Sequence, residues 1–132
     1  MSTFNSVEEA REYFRHDRFA LVNGVHLDEL GEDWSRASLD LTADHKNANN
    51  GVMGGAIFTL ADLAFAAAAN NVHRPTVAQQ VSVNFLAGSK GTKLIAAAVC
   101  KKNGRSSAIY NVDVVDDLGR DIAQIVFTGF KL

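Results

Sequence analysis

The chain has 132 residues, of which 47% are hydrophobic and 21% charged. That suits a single domain over 1–132 with a sizeable core. The formal net charge of -2 gives no electrostatic reason to expect nucleic acid or an anionic membrane surface as a partner. The one cysteine, Cys100, excludes an intrachain disulfide and sits in an apolar run, as a buried structural thiol does. No Cys/His spacing resembles a zinc site, so neither a metal nor a separate cofactor is expected.

The first residues, MSTFNSVEEAREYF, are charged early and lack an apolar core, unlike a secretory signal; the expected location is cytoplasmic. Ser6 followed by Glu8 and Glu9 predicts a helix start, with Phe14 near its end. Residues 19–30 and 34–42 read as two strands around the turn Gly31-Glu32-Asp33. In the second, Ala37, Leu39 and Leu41 alternate with Arg36, Ser38 and Asp40. Residues 43–50 are polar and aperiodic. His45, alone among them, reads as a surface residue.

Residues 51–70, GVMGGAIFTLADLAFAAAAN, read as one long helix, apolar on nearly every side. Such a helix is normally buried. Asp62 is its only ionisable residue, and a buried carboxylate is costly unless paired, hydrogen-bonded or protonated. The run approaches membrane-spanning length, but its Ala and Gly content and central Asp62 argue against a span.

Pro75 marks a break, and everything beyond it reads as extended. Val81, Val83 and Phe85 alternate with Ser82 and Asn84. A turn at 88–91 precedes a strand over 93–101, Asn103-Gly104 is a hairpin turn, and strands follow at 106–115 and 121–130. The outline is a short N-terminal helix, two strands, a long apolar helix and four strands. It predicts an α+β fold in which a curved antiparallel sheet wraps around the central helix.

The segment HKNANNGVMGGAIFTLADLAFAAAAN resembles the central motif of the hotdog-fold thioesterases of the phenylacetate-degradation type. Members carry an asparagine, a Gly-rich loop usually ending in His-Gly-Gly, and a helix with Leu-Ala-Asp. The later VNFLAG resembles the strand after that helix, which in the family usually ends near Arg-Pro. The likeness covers residues 39–130. It implies the hotdog fold and an acyl-CoA thioesterase, in which thioester and water give a carboxylic acid and free coenzyme A. Coenzyme A is then part of the substrate. It also implies a homodimer, often paired into a homotetramer, with the loop and glycines of a site from one chain and the carboxylate from the other.

By the same resemblance Asp62 is the catalytic carboxylate, as general base or nucleophile, and the Gly54 N–H is the oxyanion donor. Asn47 orients water or the thioester. Met53, Gly55 and Asn84 lie in segments that meet substrate. Physical reasoning runs parallel. Gly54 and Gly55 stand where loop becomes helix, where backbone N–H groups are unpaired and another molecule can approach closely; tight helix-to-sheet packing would also call for glycine. The helical neighbours of Asp62 are Phe58, Phe65, Ala66 and Ala69, surroundings that raise a carboxyl pKa. Phe58, Phe65 and Phe85 suit an apolar acyl pocket, or core packing. Lys101, Lys102 and Arg105 around the hairpin turn suit coenzyme A phosphates, or a solvated loop tip.

Two residues depart from the motif. Asn50 stands at the usual glycine, and Asn is the least strained substitute at a left-handed position. Met53 stands at the usual histidine and can neither donate a hydrogen bond nor titrate. The alternative is therefore a protein that binds acyl-CoA without turning it over.

Overall fold

The computed structural model describes all 132 residues. Helix α1 (Val7–Phe14) begins where expected: the Ser6 side chain accepts the Glu9 N–H at 3.1 Å, and Ala10 and Phe14 are buried. Residues 19–30, expected as one strand, are divided. A short helix α2 (Arg18–Val22) comes first, and strand β1 is confined to Val25–Leu30. An unbroken apolar run such as Phe-Ala-Leu-Val carries no period that separates strand from helix. Gly24, at φ 86, makes the left-handed exit from α2.

Strand β2 (Trp34–Asp40) turns Ser35, Ala37 and Leu39 inward. It ends before Leu41, because Thr42 caps a single 3-10 turn at Ala43–His45. Helix α3 (Gly54–Val72) starts later than expected: the Lys46–Val52 bridge and a bond from Met53 N–H to the His45 carbonyl at 2.8 Å keep the preceding residues in the loop. After Pro75 come β3 (Thr76–Phe85), β4 (Lys93–Asn103), β5 (Ser107–Asp116) and β6 (Asp121–Lys131). One six-stranded sheet results, in the order β1-β2-β4-β5-β6-β3 with every pairing antiparallel. Cys100 is half-buried, opposite Tyr110.

The sheet curls far enough that α3 lies against all six strands. Register shifts leave an extra residue in β1, β3, β4 and β6, and bulges bend a strand and increase its twist. Alanines on both sides bring helix and sheet close: Ala61, Ala64 and Ala68 on α3, Ala37, Ala96 and Ala98 on β2 and β4, all fully buried. The approach lets the Ser35 hydroxyl donate to the Ala64 carbonyl at 2.5 Å. Larger groups fill the β5–β6 side. The Phe65 ring stacks on Phe127 at 4.5 Å and meets the Tyr110 edge at 5.5 Å. A Cβ on Gly129 would lie 3.0 Å from both Phe65 Cζ and Thr76 Cγ2, so a side chain there would press on the seated ring.

The sheet has two edges, β1 and β3. Strand β3 is exposed along nearly its whole length, Val77 and Phe85 included. Phe65→Ala should lower stability by about 3–5 kcal/mol, the cost of an aromatic cavity in a packed core. The shift of the urea midpoint at unchanged slope measures it.

Candidate active site

The loop into α3 is built on two side chains. His45 is buried. Its Nδ1 accepts the Thr42 N–H at 3.0 Å, and its Nε2 lies 2.7 Å from the Asn23 carbonyl, to which it must donate. Both ring nitrogens are thereby used by a neutral imidazole. Because His45 also holds the Met53 N–H through its carbonyl, it ties the end of α2 to the start of α3. The expectation of a surface histidine was wrong: its partners are far away in sequence or in the backbone, where no residue pattern shows them.

Asn47 shapes the next turn. Its Oδ1 accepts from Asn49 N–H at 2.9 Å and Gly51 N–H at 3.0 Å, and its carbonyl accepts the Asn50 N–H at 3.0 Å. Its Nδ2 donates to nothing in the chain, so the amide can serve the loop and still offer a donor outward. Asn50 sits at φ 64, in the left-handed region expected for the residue that replaces the motif glycine.

Helix α3 opens with no side-chain cap at Met53, and the N–H groups of Gly54 and Gly55 have no acceptor in the chain. These donors stand at the positive end of the helix dipole. Gly54 also has a packing reason: a Cβ there would lie 3.0 Å from Phe85 Cζ. At Gly55 an added Cβ would meet only Met53 Cγ, at 3.8 Å. A cavity of about 390 Å³ lies here, lined by Val52, Gly54, Ile57, Phe85 and the segment that follows β3.

Asp62 faces a different cavity, of about 420 Å³, shared with Asp17, Arg18, Phe19, Phe58 and Thr59. It is half-buried, and its carboxylate accepts no hydrogen bond from the chain. Loss of solvent raises its pKa, and the charge of Asp17 raises it further. A third cavity, of about 370 Å³, borders the second through Phe19, Phe58 and Thr59, and reaches Met53, Val25 and Leu39.

Eight residues separate Gly54 from Asp62, which is ~12 Å of rise and ~80° of rotation on a helix. One chain therefore shows its free N–H and its carboxylate to different cavities. Phe58 lines two cavities, whereas Phe65 is 1% exposed and lines neither of the Asp62-side cavities nor that of Gly54. Asn84 is exposed on β3 opposite Gln124. Lys101, Lys102 and Arg105 are exposed around the β4–β5 turn. That turn is fastened by Lys131 Nζ to the Gly104 carbonyl at 2.6 Å, and Lys131 pairs with Thr76 just beyond the α3 terminus. The cations thus sit at the end of the sheet opposite Gly54 within one chain. Asp17 and Phe19, which sequence reasoning left without a role, join the site because α2 folds across α3.

A bare helix N-terminus and a lone carboxylate on a helix enclosed by a curved antiparallel sheet define the hotdog type of thioester hydrolase. The chain belongs to the thioesterase superfamily, whose family model matches residues 49–123, and within it to the PaaI-like hotdog thioesterases. It is 32% identical over 128 residues to a putative esterase of Archaeoglobus fulgidus, covering 96% of this chain and 83% of that one. It is 27% identical over 117 residues to the acyl-coenzyme A thioesterase PaaI of Escherichia coli, covering 88% and 84%. The structure of the E. coli PaaI protein superposes with a TM-score of 0.89 at 24% identity, covering 95% of this chain and 91% of that one.

Two stability measurements test the site's geometry. Asn50→Gly should fold at least as stably as the natural protein, and Asn50→Val should lose about 1–2 kcal/mol, the cost of a left-handed β-branched residue. The folded state holds the Asp62 proton more tightly than the unfolded chain. Stability from that proton is present below the ordinary value of 3.8 and is lost as pH rises through the raised folded value. Asp62→Asn should therefore gain thermal stability over the natural protein as pH rises through that window.

Proposed function

We propose that the protein hydrolyses acyl-coenzyme A thioesters at a site shared by two copies of the chain, with Asp62 as general base and the Gly54 N–H as oxyanion donor. The observation that carries this is Asp62 itself. A partly desolvated carboxylate, free of hydrogen bonds and facing a cavity roomy enough for water and substrate, is a stronger proton acceptor than an exposed aspartate. The activity named for the E. coli relative supports acyl-coenzyme A as the substrate class.

Water in the cavity gives a proton to Asp62 as its oxygen attacks the thioester carbon. The carbonyl oxygen becomes an oxyanion, held by the free N–H at the start of α3. Collapse breaks the carbon–sulfur bond, and the leaving thiolate takes the proton back from Asp62. Carboxylic acid and free coenzyme A result. Because one chain turns these groups into different cavities, the two halves of the site come from different copies. The exposed, unpaired β3 edge supports this: antiparallel pairing of two copies through it satisfies the open ladder, continues the sheet into the second copy and runs the two α3 helices in opposite directions. Two such dimers give a tetramer. The Asn47 amide, with its free Nδ2, orients the thioester. Exposed Lys101, Lys102 and Arg105 meet coenzyme A phosphates from the end of the sheet that lies far from their own Gly54.

Thiol release from a panel of acyl-CoAs tests the activity. Asp62→Asn should cut kcat by about 10²–10⁴-fold. Gly54→Pro removes the N–H at a position that favours proline in a helix, with the exposed tip of the Phe85 ring shifting to admit the added Cβ, and should cut kcat by about 10²–10³-fold with helix content retained. Mixing the two inactive variants and allowing exchange should restore about one quarter of the natural activity, since half the dimers are mixed and each has one intact site. No recovery would put both groups in one chain. Asp17→Asn should move the acid limb of kcat/KM to lower pH, because Asp62 then gives up its proton more readily. Tight acyl-CoA binding with no thiol release by the natural protein would mean that Met53 has left a binder.

A further inference from the structure

A further cavity, of about 150 Å³, lies between α1, α2, β1 and α3 and takes no part in the reaction described above. It adjoins the Asp62 cavity, since Ala20 and Leu63 line both. An apolar space of this size holds a six-membered ring. Its lining is of two kinds. Six side chains are apolar, Phe14, Leu21 and Leu27 among them, and the other three are Arg11, Arg15 and His26. No carboxylate, hydroxyl or amide side chain lines it. Walls that are only apolar or basic match an apolar molecule with one anionic end.

The three basic groups are held differently. Arg15 is exposed, and its Nη1 donates to the Glu12 carboxylate at 3.2 Å. His26 is exposed, with Nε2 3.6 Å from Asp28 Oδ1. Arg11 is half-buried and bonds only to backbone. Its Nε donates to the Leu27 carbonyl at 2.7 Å and its Nη2 to the Asp28 carbonyl at 3.1 Å. Those carbonyls belong to β1, an edge of the sheet. The two bonds fix the guanidinium without neutralising it. Its Nη1 and the second Nη2 proton remain free, which is the edge of the fork that a carboxylate grips. Covering the β1 edge accounts for the position of Arg11. It does not account for a fixed, unpaired charge beside an apolar space.

We propose that this cavity is a second ligand site, which binds a small monocarboxylic acid with its carboxylate on the Arg11 fork and its apolar body against Phe14, Leu27 and Leu63. One fixed positive charge is balanced by one carboxylate, whereas a phosphate dianion would leave excess charge against apolar walls. The volume suits a body of about six carbons. The site is independent of the reaction assigned to Asp62. Pairing of two copies through β3 leaves it open, because β1 is the opposite edge of the sheet.

The test titrates the whole chain, labelled at its Leu and Val methyl groups, with cyclohexanecarboxylate and with cyclohexylmethanol, the neutral molecule of the same shape. The acid should give saturable NMR shifts at the methyls of Leu21 and Leu27, which line this cavity and none of the others described. It should bind at least about tenfold more tightly than the alcohol, the usual margin of a hydrogen bond to a charged group. Arg11→Gln should abolish that preference and leave the affinity for the alcohol as it was. Leu21 is 43% exposed, so Leu21→Trp should keep the melting temperature while its larger side chain weakens binding of the acid at least about tenfold. That variant decides the location even where Arg11→Gln loosens the β1 edge. Shifts centred instead on Leu39, Val52 or Leu86, which line the cavities around Met53 and Gly54, put the acid in the reaction site and overturn the proposal. Equal affinity for acid and alcohol, or no saturable shift for the acid, overturns it as well. None of these results bears on hydrolysis, which is read separately by thiol release.

Discussion

The structure depends on one close contact, the burial of α3 against a sheet bent around it. The contact requires small residues on both surfaces. Ala61, Ala64 and Ala68 face Ala37, Ala96 and Ala98, near enough for the Ser35 hydroxyl to reach a carbonyl of the helix. It also requires bends in the strands, which the register shifts supply. With the helix so enclosed, its one charge has a place only where the sheet does not reach. Asp62 emerges at that gap, between α3 and the corner where Asp17 leads into α2.

The corner shows how a peripheral element sets the chemistry of a central one. Helix α2 is too short to add much to the core, and it leaves Phe19 and Val22 in solvent. It nevertheless walls the Asp62 cavity, withdraws water from the carboxylate and sets Asp17 beside it. Desolvation and a like charge act in the same direction, toward a more basic carboxylate. The chain bears the cost of a charge held without a hydrogen bond in a partly desolvated cavity, a cost that packing elsewhere must offset.

The loop before α3 solves a different problem. It leaves the helix N-terminus uncapped and is still held by several hydrogen bonds. Asn47 binds the turn through its carbonyl oxygens, Asn50 takes the left-handed position, and His45 joins the turn to the end of α2. None of these bonds uses the N–H groups of Gly54 or Gly55. The Met53 side chain neither caps the helix nor joins this network, although its backbone N–H is held by the His45 carbonyl. That side chain is free to face the cavity it shares with Phe19 and Phe58.

Much was legible in the order of residues. The all-round apolar helix, the alternating strands and the Asn-Gly turn carry short-range signals, and each became the element it predicts, with ends displaced by a few residues. The isolated acid in an apolar helix and the paired glycines stood out in the sequence, because a charge or a missing side chain in such a place is costly, and the structure sets each of them against a cavity. Asn50 was readable for the same reason: few residues tolerate a left-handed backbone. The strand expected over 19–30 was not, since a short apolar run has no period to choose helix from sheet. The burial of His45, the assignment of Phe65 to the core and Phe58 to a cavity wall, and the arrival of Asp17 and Phe19 beside Asp62 were decided only by tertiary structure. Those facts depend on which surfaces meet across tens of residues, and local propensity and spacing contain no record of such meetings.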